Sequence, residues 1–107
     1  MKLQEFFDKP GKWTKKSNAR TVLDTPAPVT HELAVCWCLY GAIFKLWPEE
    51  SQKQIRLEKQ RLILDAAVDL GYWVSTGTWA SVAVIDLNDR KEIAFEDIRA
   101  ILEHADV

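Results

Sequence analysis

Four side chains in this 107-residue chain could supply soft-ligand or nucleophile chemistry: Cys36 and Cys38, with His31 and His104. Two thiols and two imidazoles would satisfy a zinc ion, but zinc knuckles space their cysteines two to four residues apart and match them with a second ligand pair. Cys36-Trp37-Cys38 leaves one residue between the thiols, inside the apolar run LAVCWCLYGAIFKLW. A nucleophilic cysteine needs an exposed thiolate beside a base, here His31, and the most apolar part of a chain is the wrong setting for one. Packing as small hydrophobes is the expected role of both cysteines. The spacing is also poor for a mutual disulfide, so two reduced thiols are expected. The sequence therefore assigns no catalytic residue, no cofactor and no metal, and the chain reads as not an enzyme.

Two other groups of residues could recognise a macromolecule. Lys12, Trp13, Lys15, Lys16 and Arg20 combine positive charge with one aromatic, the ingredients of phosphate contact and base stacking. The more ordinary reading is a core-anchored indole with a solvated basic flank. Trp73 and Trp79, with Tyr72 beside them, lie in a stretch punctuated by Gly71 and Gly77. Tryptophan is enriched in cores and at interface hot spots alike, so this trio is either a partner-binding surface or, the more ordinary expectation, a cap on the core. Trp37 and Trp47 are assigned to the core. The carboxylates Asp86, Asp89, Glu92, Glu96 and Asp97 could face a basic partner or a hard cation, yet no calcium-loop spacing is present. Asn88-Asp89 reads as a turn and helix-entry device.

The elements that must position these residues follow from periodicity and punctuation. Lys2 to Asp8 predicts a short helical turn offering Leu3, Phe6 and Phe7 for docking, closed by Pro10-Gly11. Thr14 or Ser17 could cap a brief helix in the basic segment. Thr21 to Thr30 predicts two extended pieces joined by a proline-bearing turn, a hairpin-like arm. From Thr30 to Trp47 the chain is apolar on all sides. It is either one buried helix capped by Thr30 or a strand followed by a helix, and length favours the helix. Gly41 in its interior implies close approach by another element, with Cys38 and Ala42 beside it. Glu49 to Leu70 predicts an amphipathic helix with Ile55, Leu62, Ile63, Ala66, Ala67 and Leu70 on its apolar face and Gly71 ending it. Trp79 to Leu87 is a short helix or a buried strand. Phe95 to Ala105 closes the chain as a helix striped by Ile98, Ile101, Leu102 and Ala105.

Length and composition place all of this in one domain, residues 1–107: 48% hydrophobic and 28% charged residues describe a chain that buries its own core. The fold class expected is α+β, mainly α, with about three to five helices and a small arm near residues 21–30. The apolar run is too short and interrupted to span a bilayer, and no secretory leader pattern opens the chain, so a cytoplasmic protein with no membrane partner is expected. The net charge of −2 is segregated: residues 1–20 carry six Lys or Arg against two acids, and residues 62–107 nine acids against three bases. Such a layout can present opposite surfaces to different partners or neutralise itself on folding, the commoner outcome.

Trp13-Thr14 followed by Ala19-Arg20, then Cys38-Leu39-Tyr40-Gly41-Ala42-Ile43, then Asn88-Asp89, then Glu96-Asp97-Ile98 to Ala105 form a recognisable series. It resembles a family of small uncharacterised bacterial and phage proteins in which a CxxGA element and an ND pair recur. Ala94 departs from that pattern, standing where a Ser or Thr cap would open the last helix. The resemblance implies a cytoplasmic, bacterial or phage-encoded accessory protein and carries no activity. The functional expectation is a non-catalytic protein that binds another protein, with a nucleic-acid-binding module using residues 12–20 as the alternative and a homodimer as a further partner state.

Overall fold

Leu3, Phe6 and Phe7 line one side of a first helical turn, α1 (Leu3–Phe6), and all three are buried. A 3-10 turn at Pro10–Lys12 follows, and no helix forms in the basic segment: neither Thr14 nor Ser17 starts one. Instead Trp13 bridges to Trp37, Lys16 takes a left-handed backbone (φ 64°), and the chain enters strand β1 (Ala19–Thr21). β1 pairs antiparallel with β2 (Pro26–Ala27), Ala19 opposite Ala27 and Arg20 opposite Pro26, which forms the expected arm, except that its turn runs through Val22, Leu23 and Asp24 and Pro26 lies in the strand. Asp24 (φ 60°) closes its turn, a position Asp tolerates better than most residues.

The structure described, a computed structural model covering residues 1–107, divides the long apolar run at Cys38. Ala34–Trp37 is strand β3 and Leu39–Leu46 is helix α2. The single helix favoured by length, and its Thr30 cap, are thus corrected. Two observations explain the break. Val35 and Trp37 are strand-forming residues in a segment that pairs with β1 to complete a sheet of order β2-β1-β3, and Cys38 caps the helix, its Sγ accepting from Gly41 N at 3.3 Å. Leu33 and Val35 are exposed, so the core portion of the run begins at Trp37.

A 3-10 turn at Glu50–Gln52 leads into α3 (Lys53–Asp69), which packs against α4 (Ala80–Asp89) and α5 (Phe95–Ala105). The buried face of α3 is Arg56, Gln60, Ile63, Ala66 and Ala67. Ile55, Leu62 and Leu70, expected on that face, lie exposed. α5 matches its expected bounds; Ala94 offers no side-chain cap, and Asp97 supplies the other half of a capping box by accepting from Ala94 N at 2.8 Å. Nineteen buried side chains, drawn from every helix and from strands β1 and β3 of the sheet, form a single core.

Trp13-Thr14, the start of α2 and Asn88-Asp89, far apart in the chain, meet in space. Asn88, near the end of α4, is fully buried. Its Oδ1 accepts from Trp13 Nε1 (2.6 Å) and from Leu39 N (3.1 Å), while its Nδ2 donates to Thr14 O (3.0 Å) and Asp89 Oδ1 (2.9 Å). Asp89 Oδ1 also accepts from Lys16 N at 2.8 Å. Gly41 lies against the backbone of Asn18, whose carbonyl accepts from Cys38 N at 3.3 Å. Asn88-Asp89 is therefore no turn or helix entry: it staples segment 13–16 to α4 and satisfies the first amide of α2.

Candidate protein-contact surface

The connection between α3 and α4 starts with a glycine-dependent reversal. Gly71 adopts φ 93°, its N donates to Val68 O, and Tyr72 N donates to Ala67 O, both at 2.9 Å. This Schellman pair ends α3 and turns the chain back across it. Tyr72 is half-buried against the core and its hydroxyl donates to Asp97 Oδ1 on α5. That bond, followed by the Ala94 amide, holds the Asp97 carboxyl below the usual carboxylate range, and Asp97 in turn raises the Tyr72 phenol.

Beyond Tyr72 the loop is pinned from α4. Asp86 Oδ2 accepts from Arg90 Nη2 (2.7 Å) and Ser75 Oγ (3.1 Å), and Arg90 Nη1 donates to Trp73 O. The Arg90 guanidinium bonded to it keeps the Asp86 carboxyl low. The same guanidinium lies over the Trp73 ring, 4.7 Å from its centroid. Trp73 nevertheless stays 69% exposed, and Trp79 is 80% exposed. Neither indole caps the core, which corrects the more ordinary expectation. Trp79 occupies the N-cap position of α4 and forms no side-chain cap bond. Ser, Thr, Asp or Asn is preferred there, so helix initiation does not account for the tryptophan.

Two grooves share Trp79, Leu57 and Ala80. One, of about 270 Å³, is lined by Tyr40 and Phe44 of α2 and by Lys53, Arg56 and Gln60 of α3. The other, of about 490 Å³, is lined by Arg61 and Leu64 of α3 and the loop 75–78. Sequence reasoning missed Arg56 and its neighbours. The available signal was the stripe 56, 60, 63, 67, which has helical spacing toward the core yet carries Arg and Gln at two of its four positions.

The basic segment does not assemble a stacking face. Trp13 is half-buried, bonded to Asn88 and set beside Phe95 at 6.3 Å. Lys12 pairs with Asp8 at 3.3 Å, Lys15 donates to Arg90 O, and Arg20 contacts both the carbonyl and the carboxylate of Asp24. Lys16 alone in this group keeps a free side chain, its backbone being held by Asp89. Cys38 is buried and its thiol is pushed up by that burial, while Cys36 is half-buried against Arg20 O. His31 Nδ1 accepts from Leu33 N, and His104 lies 3.3 Å from Asp69. No three His, Cys, Asp or Glu side chains converge as a metal site would require, and no helix is long and apolar enough to cross a membrane.

The chain matches no family model, no curated protein and no solved structure.

A pH dependence follows from the carboxylates that fix the loop. Asp86 and Asp97 have depressed values in the folded state, so their contribution to stability is complete above the unfolded carboxylate value of about 4 and is lost as pH falls through the folded values. Urea midpoints measured across acidic pH are expected to drop steeply below about pH 4, and Tyr72→Phe is expected to flatten part of that limb. An unchanged limb in Tyr72→Phe would mean that the hydroxyl does not hold Asp97.

Proposed function

We propose that this chain is a small, non-catalytic cytoplasmic accessory protein, of the bacterial or phage kind its resemblance implies, that acts by binding another protein. The observation that carries the reading is the pair of indoles at 69% and 80% exposure on a pinned loop, neither of them in the core and Trp73 covered on one side only by Arg90. Large aromatic side chains are costly to leave in water and recur at the centres of interfaces, where truncating one removes 2 kcal/mol or more, about thirtyfold in affinity. Tyr72 supports the surface from beneath through Asp97. The nucleic-acid alternative has weaker support, because Trp13 and three of its four neighbouring cations are engaged within the chain.

The test is capture of a partner from nuclease-treated lysate by the tagged protein, repeated with Trp73→Ala/Trp79→Ala. A captured protein that survives moderate salt and is lost from the double variant, with folding retained, is the expected result. Material that disappears with nuclease, or that follows Lys12, Lys15, Lys16 and Arg20 instead, would move the function to the basic segment.

A further inference from the structure

The arginines of α3 differ from the others of the chain in having no carboxylate partner. Every other arginine is paired with an acid: Arg20 with Asp24, Arg90 with Asp86 and Arg99 with Glu103. Lys53, Arg56, Lys59 and Arg61 take part in none of the six ion pairs of the molecule. Three of them, Lys53, Arg56 and Arg61, line the two grooves beside Trp79, and neither groove has a carboxylate in its lining.

Arg56 is the least ordinary of these. It is 6% exposed, and its charge is met only by carbonyl dipoles, Nη1 donating to Trp47 O and Glu49 O at 2.7 Å each. Its guanidinium stacks on Phe44, 4.3 Å from the ring centroid. Nε and Nη2 have no acceptor within the chain and open toward solvent, since no buried side-chain nitrogen or oxygen of the molecule lacks a partner. A buried charge without a counter-ion is expensive, and a carboxylate entering the groove would supply one in a planar, two-point geometry that guanidinium favours. Tyr40, Phe44, Leu57 and Trp79 give the grooves apolar walls beside these cations, and neutral polar residues, Gln54, Gln60 and Ser81 in one and Ser75, Thr76 and Thr78 in the other, complete the linings.

We propose that the grooves on either hand of Trp79 receive an acidic peptide segment of the partner protein, its carboxylates on Arg56, Lys53 and Arg61 and an apolar side chain against the Trp79 indole. The proposal rests on the protein-binding reading above and names the chemistry of its partner. Charge complementarity decides the occupant: three cations outside any ion pair, set beside aromatic and aliphatic side chains in grooves without a carboxylate, suit acidic residues interspersed with hydrophobic ones. A nucleic acid would need a longer basic track than these grooves offer.

The experiment is selection of a displayed random peptide library on the immobilised full chain, followed by fluorescence anisotropy of the enriched peptides. The variants are Lys53→Gln/Arg61→Gln, both at exposed positions, and Trp79→Ala. Enriched peptides rich in Asp and Glu around an apolar residue, weakened about tenfold or more by the double charge variant and by added salt, are the expected outcome. Peptides that are neutral or basic, indifferent to Lys53→Gln/Arg61→Gln but lost with Trp79→Ala, would overturn the acidic occupant and leave the protein-binding surface standing. No enrichment, or enrichment indifferent to Trp79→Ala, would overturn both. Preferential binding of a single-stranded oligonucleotide in the same assay, lost with the charge variant, would also overturn the proposal.

Discussion

Asn88→Ala is expected to destabilise the fold by about 3–5 kcal/mol, the combined effect of several buried groups left without partners. Asn88 has no exposed surface, and both ends of its amide are used. Truncation strands Trp13 Nε1 and the Leu39 amide as donors and Thr14 O as an acceptor, the Leu39 bond fully buried and the other two partly so. The effect reaches three parts of the chain at once: the basic segment loses its anchor, α2 loses a cap on its first amide, and α4 loses its tie to both. Asn88→Asp keeps the acceptor but removes the donor to Thr14 O and puts a second charge beside Asp89, so it is expected to fall well short of a full rescue. Urea denaturation gives both values. A loss below about 1 kcal/mol in Asn88→Ala would show that the staple contributes no more than a single ordinary hydrogen bond.

Gly41→Ala is expected to destabilise by about 3 kcal/mol or more, at the upper end of overpacking costs because the obstacle is backbone. The sign is what makes it informative. Within a helix, glycine to alanine normally stabilises by about 1 kcal/mol. Here the added methyl would stand 2.0 Å from Asn18 O and 2.9 Å from Asn18 C. Relief requires pushing segment 13–19 off α2, which breaks the Cys38 N to Asn18 O bond and strains the sheet register beside it. Gly11→Ala, whose methyl would meet nothing within 4 Å, is the control and is expected to leave stability nearly unchanged. A stabilised Gly41→Ala would mean that α2 and segment 13–19 are not packed as described.

Much of the architecture was legible because it is local. The stripe of α5, the Gly71 stop and the proline-bearing arm are each written within a few residues, and the interior glycine announced a close approach without naming what approached. What escaped was long-range. Whether residues 34–37 form strand or helix turns on pairing with β1, which lies some fifteen residues earlier and has no signal of its own beyond Ala19-Arg20-Thr21. Asn88 looked like a turn residue because Asn is common in turns, while three of its four partners are 49 to 75 positions away. The buried face of α3 was misread for a related reason: Ile55 and Leu62 have the hydrophobicity of core residues, but the core lies on the side of Ile63 and Ala67, with Arg56 and Gln60 completing that face. For the candidate surface, tryptophan count singled out Trp73 and Trp79, and their exposure came only from the fold.

The account divides the distinctive residues into those that build the fold and those that are free to meet a partner, and a denaturation series measures that division directly. Asn88→Ala, Gly41→Ala, Trp73→Ala and Trp79→Ala would be unfolded in urea side by side. The first two are expected to lose several kcal/mol, and the two tryptophan variants to stay within about 1 kcal/mol of the unmodified chain, since each indole is mostly in water. Destabilisation of Trp79→Ala to the level of Asn88→Ala would contradict the account, for it would place that indole in the structure and not on a contact surface.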